Sequence, residues 1–278
     1  VPVICSALLF CYFVIRIIRN KISLPDPRIF THWTIFDKII LFGILLQICW
    51  VFYITLPMPV NSYDAFLSYA IKAKIFYLHK GIPDGFFALN QDYINNLYIY
   101  NLDYPTLLPF FMVWVYAFIG FNDLLITKIM PVMYVFFLVL LYFQFKRFFN
   151  RRYALASVFV IATISHIARY VAIIHVDFIM LAFVTTAFLY FMLYVRSLNR
   201  GYLILSSLLF AFSLWVKNNA VVFVFACMIC LVHFAYRSKG LKRTQVLKDL
   251  SWFLLIVIII AAPWFIFKSS QHITNVDI

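Results

Sequence analysis

The feature that most constrains this chain is a succession of apolar runs, several long enough to cross a bilayer. Continuous apolar stretches fall at residues 1–18, 39–57, 105–120, 126–145, 153–173, 178–195, 202–216, 219–236 and 250–267. A helix needs roughly 17–25 such residues to cross the hydrocarbon layer. Of the 278 residues, 65% are hydrophobic and only 12% charged, against about 25% charged in soluble domains. A water-soluble fold of this composition would expose apolar patches that soluble monomers rarely carry. The expected fold class is an all-α polytopic membrane protein. That class also removes nucleic acid as the partner for a formal net charge of +13.

The cations fix the orientation instead, because cytoplasmic loops collect Lys and Arg. Four clusters hold 16 of the 23 cationic residues: Arg16, Arg19, Lys21, Arg28 and Lys38; Lys146, Arg147, Arg151 and Arg152; Arg196 and Arg200; Arg237, Lys239, Lys242, Arg243 and Lys248. All four fall on one side only if 105–120 does not cross and if 202–236 is two helices broken at Lys217–Asn219. The short, proline-containing and aromatic run at 105–120 suits a non-spanning interfacial or re-entrant helix. About eight spans result, with a long first outer loop that carries amphipathic juxtamembrane helices. The domain reading is one transmembrane unit over 1–278, with two spans in 1–57, the outer loop in 58–125 and six spans in 126–267. The chain opens inside an apolar run without Met, basic leader or small-residue cleavage site, so it reads as a fragment with no signal peptide. The cysteines, including the Cys227–Cys230 C-x-x-C, read as buried apolar thiols with no partners for a metal site.

Ionisable residues at a membrane edge are expensive and are functional candidates by default. In the outer loop, Asn61 or Ser62 can cap a helix from about Tyr63 that Gly81 ends. Phe66, Tyr69, Ala70, Ala73, Phe76 and Tyr77 then form an apolar face. Asp64, Ser68, Lys72, Ile75 and His79 form the other, so this helix is expected to lie flat on the membrane. Asp64 falls in its first turn, where the helix dipole favours an ionised carboxylate able to act as a base. Asp103 precedes the interfacial helix. His175 and Asp177 sit at a short outer turn, and Lys217 and Asn218 at the helix break. Each admits a plain structural role, as cap, solvated turn or snorkelling lysine. Their arrival at one face from separate segments is the informative feature.

The order of these motifs is similar to that of a known family. D-x(7)-K-x-K (Asp64, Lys72, Lys74) is followed by D-Y-P-x-L-x-P (Asp103, Tyr104, Pro105, Leu107, Pro109). H-V-D at Asp177 and W-x-K-N (Trp215, Lys217, Asn218) come next. The chain thus resembles the GT-C glycosyltransferases over roughly 39–267. Within them it resembles in particular the bacterial relatives of the dolichyl- or polyprenyl-phosphate-mannose protein mannosyltransferases and of the lipid A aminoarabinose transferase. It departs from their pattern at Lys217-Asn218-Asn219-Ala220, where an acidic residue is often found.

The resemblance implies a multi-pass protein of the inner (cell) membrane with its active site on the extracytoplasmic face. It implies a polyprenyl-phosphate-linked sugar donor, an acceptor hydroxyl on a glycan, lipid or protein, and membrane lipids around the chain. Asp64 and Asp177 match its acidic catalytic positions. Lys72, Lys74, Asp103, Tyr104, Arg169, His175, Lys217 and Asn218 are the expected substrate-binding set. No metal ligand or cofactor is assigned, and help from a divalent metal stays open. Chemically, a polyprenyl phosphate leaves as an anion that lysines and arginines stabilise, while the acceptor alcohol needs a carboxylate base. A single displacement inverts the anomeric centre. The reading from a different class is a transporter or flippase for a lipid-linked or anionic solute. Broken midplane helices and internal repeats would mark it, and the sequence displays no repeat.

Overall fold

A computed structural model describes residues 33–60, 62–63, 65–83, 86–88 and 102–271. Polar side chains cap several of the helices. Thr34 and Asp37 form a reciprocal capping box that opens α1 (Ile35–Thr55), with the Asp37 amide donating to Thr34 Oγ1 at 3.3 Å and the Thr34 amide to Asp37 Oδ2 at 3.1 Å. A π-helical stretch, Ala65–Ala70, leads into α2 (Ile71–Leu78). Then follow α3 (Leu107–Ile119), α4 (Asp123–Thr127), α5 (Ile129–Phe148), α6 (Arg151–Ala162), α7 (Ser165–Ala172), α8 (Val176–Ser197), α9 (Arg200–Val216), α10 (Val221–Arg237) and α11 (Gly240–Ser270). Asn122, Asn150 and Asn199 cap α4, α6 and α9 through their side chains. No strand occurs among the described residues.

Five helical segments among these residues are long and apolar enough to cross a membrane: Ile35–Thr55, Asp123–Phe148, Val176–Ser197, Asn218–Arg237 and Lys242–Ser270. The pair α6 and α7, bent by 59°, makes a sixth if it counts as one span. The sequence reads 153–173 as one run, and the bend has one local and one distant cause. Thr163 Oγ1 donates back to the Phe159 and Val160 carbonyls, each at 3.0 Å, a habit that bends helices. The Tyr134 hydroxyl takes the Ala162 carbonyl at 3.0 Å. The expected break in 202–236 is present: α9 stops at Val216 and a 3₁₀ turn, Asn218–Ala220, opens α10. The first expected span, 1–18, lies outside the described residues.

The 17-residue α9 is shorter than α8 and α11, and protein surrounds it. It packs between α8 and α11 and buries Ser206, Ser207, Ala211 and Ser213, small residues that permit close helix approach. α1, α3, α5, α6, α7 and the start of α8 enclose a second core around Met112, Tyr134, Leu141 and Phe178. Large apolar side chains such as Phe42, 66% exposed, cover the perimeter as lipid-facing residues do. Cys227 is buried, but Cys49 and Cys230 face outward, which corrects the reading of all cysteines as buried.

The bundle's two ends differ in charge. At one, Arg151 pairs with the buried Asp37 at 2.9 Å, Arg200 pairs with the buried Asp249 at 2.7 Å, and Arg147 bonds Tyr202. Members of two basic clusters, together with Lys38 of a third next to Asp37, thus meet at one end. At the other end Lys128 donates to the Thr55 carbonyl at 2.7 Å and Thr127 to that of Met58 at 3.1 Å. The start of α5 therefore lies beside the end of α1, and the chain between them leaves and returns on the same side. α3, with 13 residues, is about 20 Å long and falls short of a ~30 Å hydrocarbon layer.

Candidate active site

The site lies at the end opposite the basic clusters, and α2 contributes to it in an unexpected way. Ser62 caps the segment by accepting from the Ala65 amide at 3.1 Å. Each π turn takes one residue more than an α turn, so the side chains rotate relative to simple helical spacing. Ser68 and Lys72, expected on a solvated face, are buried, while Phe66, expected on the packed face, is 45% exposed. The helix also closes one residue earlier than expected. Lys80 takes the left-handed conformation at φ 56, and the Gly81 amide donates to the Phe76 carbonyl at 3.0 Å.

Lys72 is completely buried, and burial pulls its ammonium down to about 7 while the negative charge of Asp103 opposes that shift. Asp103 is itself buried, in the turn before α3. From the last turn of α11, Lys268 brings its Nζ to 3.8 Å from Asp103 Oδ2. The Asn218 side-chain amide donates to the Asp103 carbonyl at 3.3 Å.

Asn218 follows Lys217, and Lys217 carries the second half of the site. Its Nζ lies 2.7 Å from Asp177 Oδ1. Asp177 is in the first turn of α8, which His175 caps: His175 Nδ1 accepts from the Asp177 amide at 3.3 Å. That bond requires an unprotonated Nδ1, so the 3.5 Å approach of Nδ1 to Asp177 Oδ2 is proximity rather than a charged pair in that tautomer. Tyr170 stacks on His175 at 4.5 Å. Before it, the buried Ile174 sits at φ 56, a left-handed backbone that a β-branched residue adopts only when its surroundings force it. Behind Lys217, the Trp215 indole donates to the Ile260 carbonyl at 2.6 Å, about one turn before Pro263, which lies inside the continuous α11.

The structure thus brings Lys72, Asp103, His175, Asp177, Lys217 and Asn218 to one end of the bundle. Tyr104 stacks on Tyr69, with ring centres 6.1 Å apart. Lys74 belongs to a different group. It pairs with Asp123 at 2.6 Å and lies over the Phe66 and Phe121 rings, and the Tyr116 hydroxyl donates to the same carboxylate at 2.9 Å. Burial and Asp123 together push the Tyr116 phenol upward, which keeps it a donor. Arg169 is exposed on α7, and Asp64 lies outside the described residues. Sequence reading missed Lys268, Asp123 and Ile174. Lys268 carried one signal, a lone cation closing the last apolar run. Among the described residues no group of three or more His, Cys, Asp or Glu is placed to hold a metal ion.

No curated protein and no solved structure matches the chain. The sequence profile of the dolichyl-phosphate-mannose-protein mannosyltransferase family matches residues 103–267, more than half of it. The matched stretch begins at Asp103 and holds Asp177, Lys217 and Asn218. The chain belongs to that family of membrane glycosyltransferases of the GT-C type.

Proposed function

We propose that this protein moves a sugar from a polyprenyl-phosphate donor to an acceptor hydroxyl of a glycan, lipid or protein at the extracytoplasmic face of the cell membrane. One observation carries the reading beyond the family: Asp103 and Asp177 meet Lys72, Lys217 and Lys268 at the end away from the basic clusters. Carboxylates beside lysines suit a reaction that takes a proton from an alcohol and releases a phosphate. The acceptor O–H gives its proton to a carboxylate, its oxygen bonds the anomeric carbon, and the bond from that carbon to the phosphate oxygen breaks. The electron pair leaves on the polyprenyl phosphate, where lysine charge stabilises it. One displacement of this kind inverts the anomeric centre.

In this proposal Asp64 is the base. Asp177 is the second carboxylate and holds Lys217 ready for the phosphate, and Lys72 and Asn218 position the donor around Asp103. The experiment is Asp64→Asn in the full-length protein, reconstituted with a polyprenyl-phosphate sugar. Loss of a general base costs about 10²–10⁴ in rate, while Asn keeps the shape of Asp and the cap at Ser62 is untouched. Turnover should collapse with expression and donor binding intact. Near-normal turnover would remove Asp64 from the mechanism and move the base to Asp177.

A further inference from the structure

At the basic end, far from the candidate active site, an open groove of about 820 Å³ runs between α8 and α10 and reaches the end of α5. Phe148, Phe191, Ile229 and Phe234 contribute to its apolar wall, and Arg196 and Arg237 line it as well. These two arginines come from the last turns of α8 and α10. A third cation joins them, because Lys242 Nζ lies 5.0 Å above the Phe234 ring. Among the described residues no carboxylate lines the groove.

Arginines in a last helical turn can simply complement the helix dipole or snorkel to water. Two other basic-end arginines argue for more than that. Arg151 and Arg200 are tied to Asp37 and Asp249, whereas among the described residues neither Arg196 nor Arg237 has an ion pair. An open apolar groove with unneutralised cations at one end matches an acyl chain that ends in a phosphate. We propose that this groove binds an anionic phospholipid of the leaflet at the basic end, with an acyl chain between α8 and α10 and the phosphate among Arg196, Arg237 and Lys242. Such basic pockets between membrane helices suit anionic head groups.

The test titrates the detergent-purified full chain with phosphatidylglycerol and with phosphatidylcholine of the same acyl chains, and counts bound lipid by native mass spectrometry. Each basic residue near an anionic head group contributes about fivefold in affinity, so phosphatidylglycerol should bind on the order of tenfold tighter or better. Arg196→Gln with Arg237→Gln should bring the two lipids to near parity, leaving phosphatidylcholine binding unchanged. Arg196→Lys with Arg237→Lys should retain the preference. Cys230→Trp, which fills the groove, should weaken both lipids. Lys38→Gln with Lys146→Gln, which removes equal charge elsewhere at the same end, should leave the preference intact. Equal binding of the two lipids by the unaltered chain overturns the proposal. So does a preference that survives the double Gln variant, or displacement of phosphatidylglycerol by soluble glycerol phosphate.

Discussion

Lys72 shows how far a side chain can depart from what its spacing suggests. Its place in K-x-K marks it as a candidate, but its burial arises from the π-helical stretch before it and from the Asp103 turn about thirty residues on. A free lysine titrates near 10.5, and here burial brings that value to about 7. Between these two values the unfolded chain holds a proton that the folded chain has released. Unfolding therefore takes up a proton, and rising pH from about 7 towards 10.5 favours the folded state. Below about 7 the full penalty of a buried charge is present. The melting midpoint of the protein in detergent should rise from pH 7 to 9 relative to Lys72→Met, which keeps the apolar length without the titration. Parallel pH profiles would show that Lys72 is not the titrating group. Asp177 and Lys217 were legible as candidates because each interrupts or borders an apolar run. Their 2.7 Å pairing was not legible, since forty residues separate them.

Among the elements, α2 depends most on a contact no local pattern announces. Lys74 reaches Asp123 at the start of α4, and Tyr116 of α3 bonds the same carboxylate. This ties α2 to the α3–α4 unit and so holds the neighbouring Lys72 in place. Both charged side chains retain some exposure, 22% and 34%, so the pair is worth about 0.2–1 kcal/mol rather than a buried bridge's value. A double-mutant cycle of Lys74→Met and Asp123→Asn, read by thermal unfolding, should give a coupling in that range. Hydrogen exchange should quicken across residues 71–78 in either variant. Zero coupling with unchanged exchange would leave α2 held by apolar packing alone. The start of α1 and the break at Lys217 were readable from Thr34–Asp37 and from the polar Lys-Asn-Asn triplet. The bend at Thr163 was not, because Tyr134 and Thr163 share it across two helices.

At the scale of the whole molecule, charge and fold support the same arrangement. In a background without native cysteines, Asn150→Cys and Lys239→Cys should react only with a reagent supplied from the cytoplasmic side, and Ser270→Cys only from outside. Labelling of positions 150 and 239 from opposite faces would sink both the basic-end assignment and the non-crossing role of α3. The sequence alone determined the class, most of the helix-forming runs among the described residues and the gathering of most cations into a few loops. Those follow from apolar run length and loop charge, which act locally against a bilayer. It also named most of the polar residues of the site, because a polar residue inside or beside an apolar run is costly wherever it lands. Only the tertiary structure decided which of them meet. Lys268 joins Asp103 across more than 160 residues, and Lys74 leaves the group it was expected to enter. Such pairings depend on helix rotation, on the π-helical entry to α2 and on the packing of α9 between α8 and α11. These are set by contacts distant in sequence, to which no local spacing is sensitive.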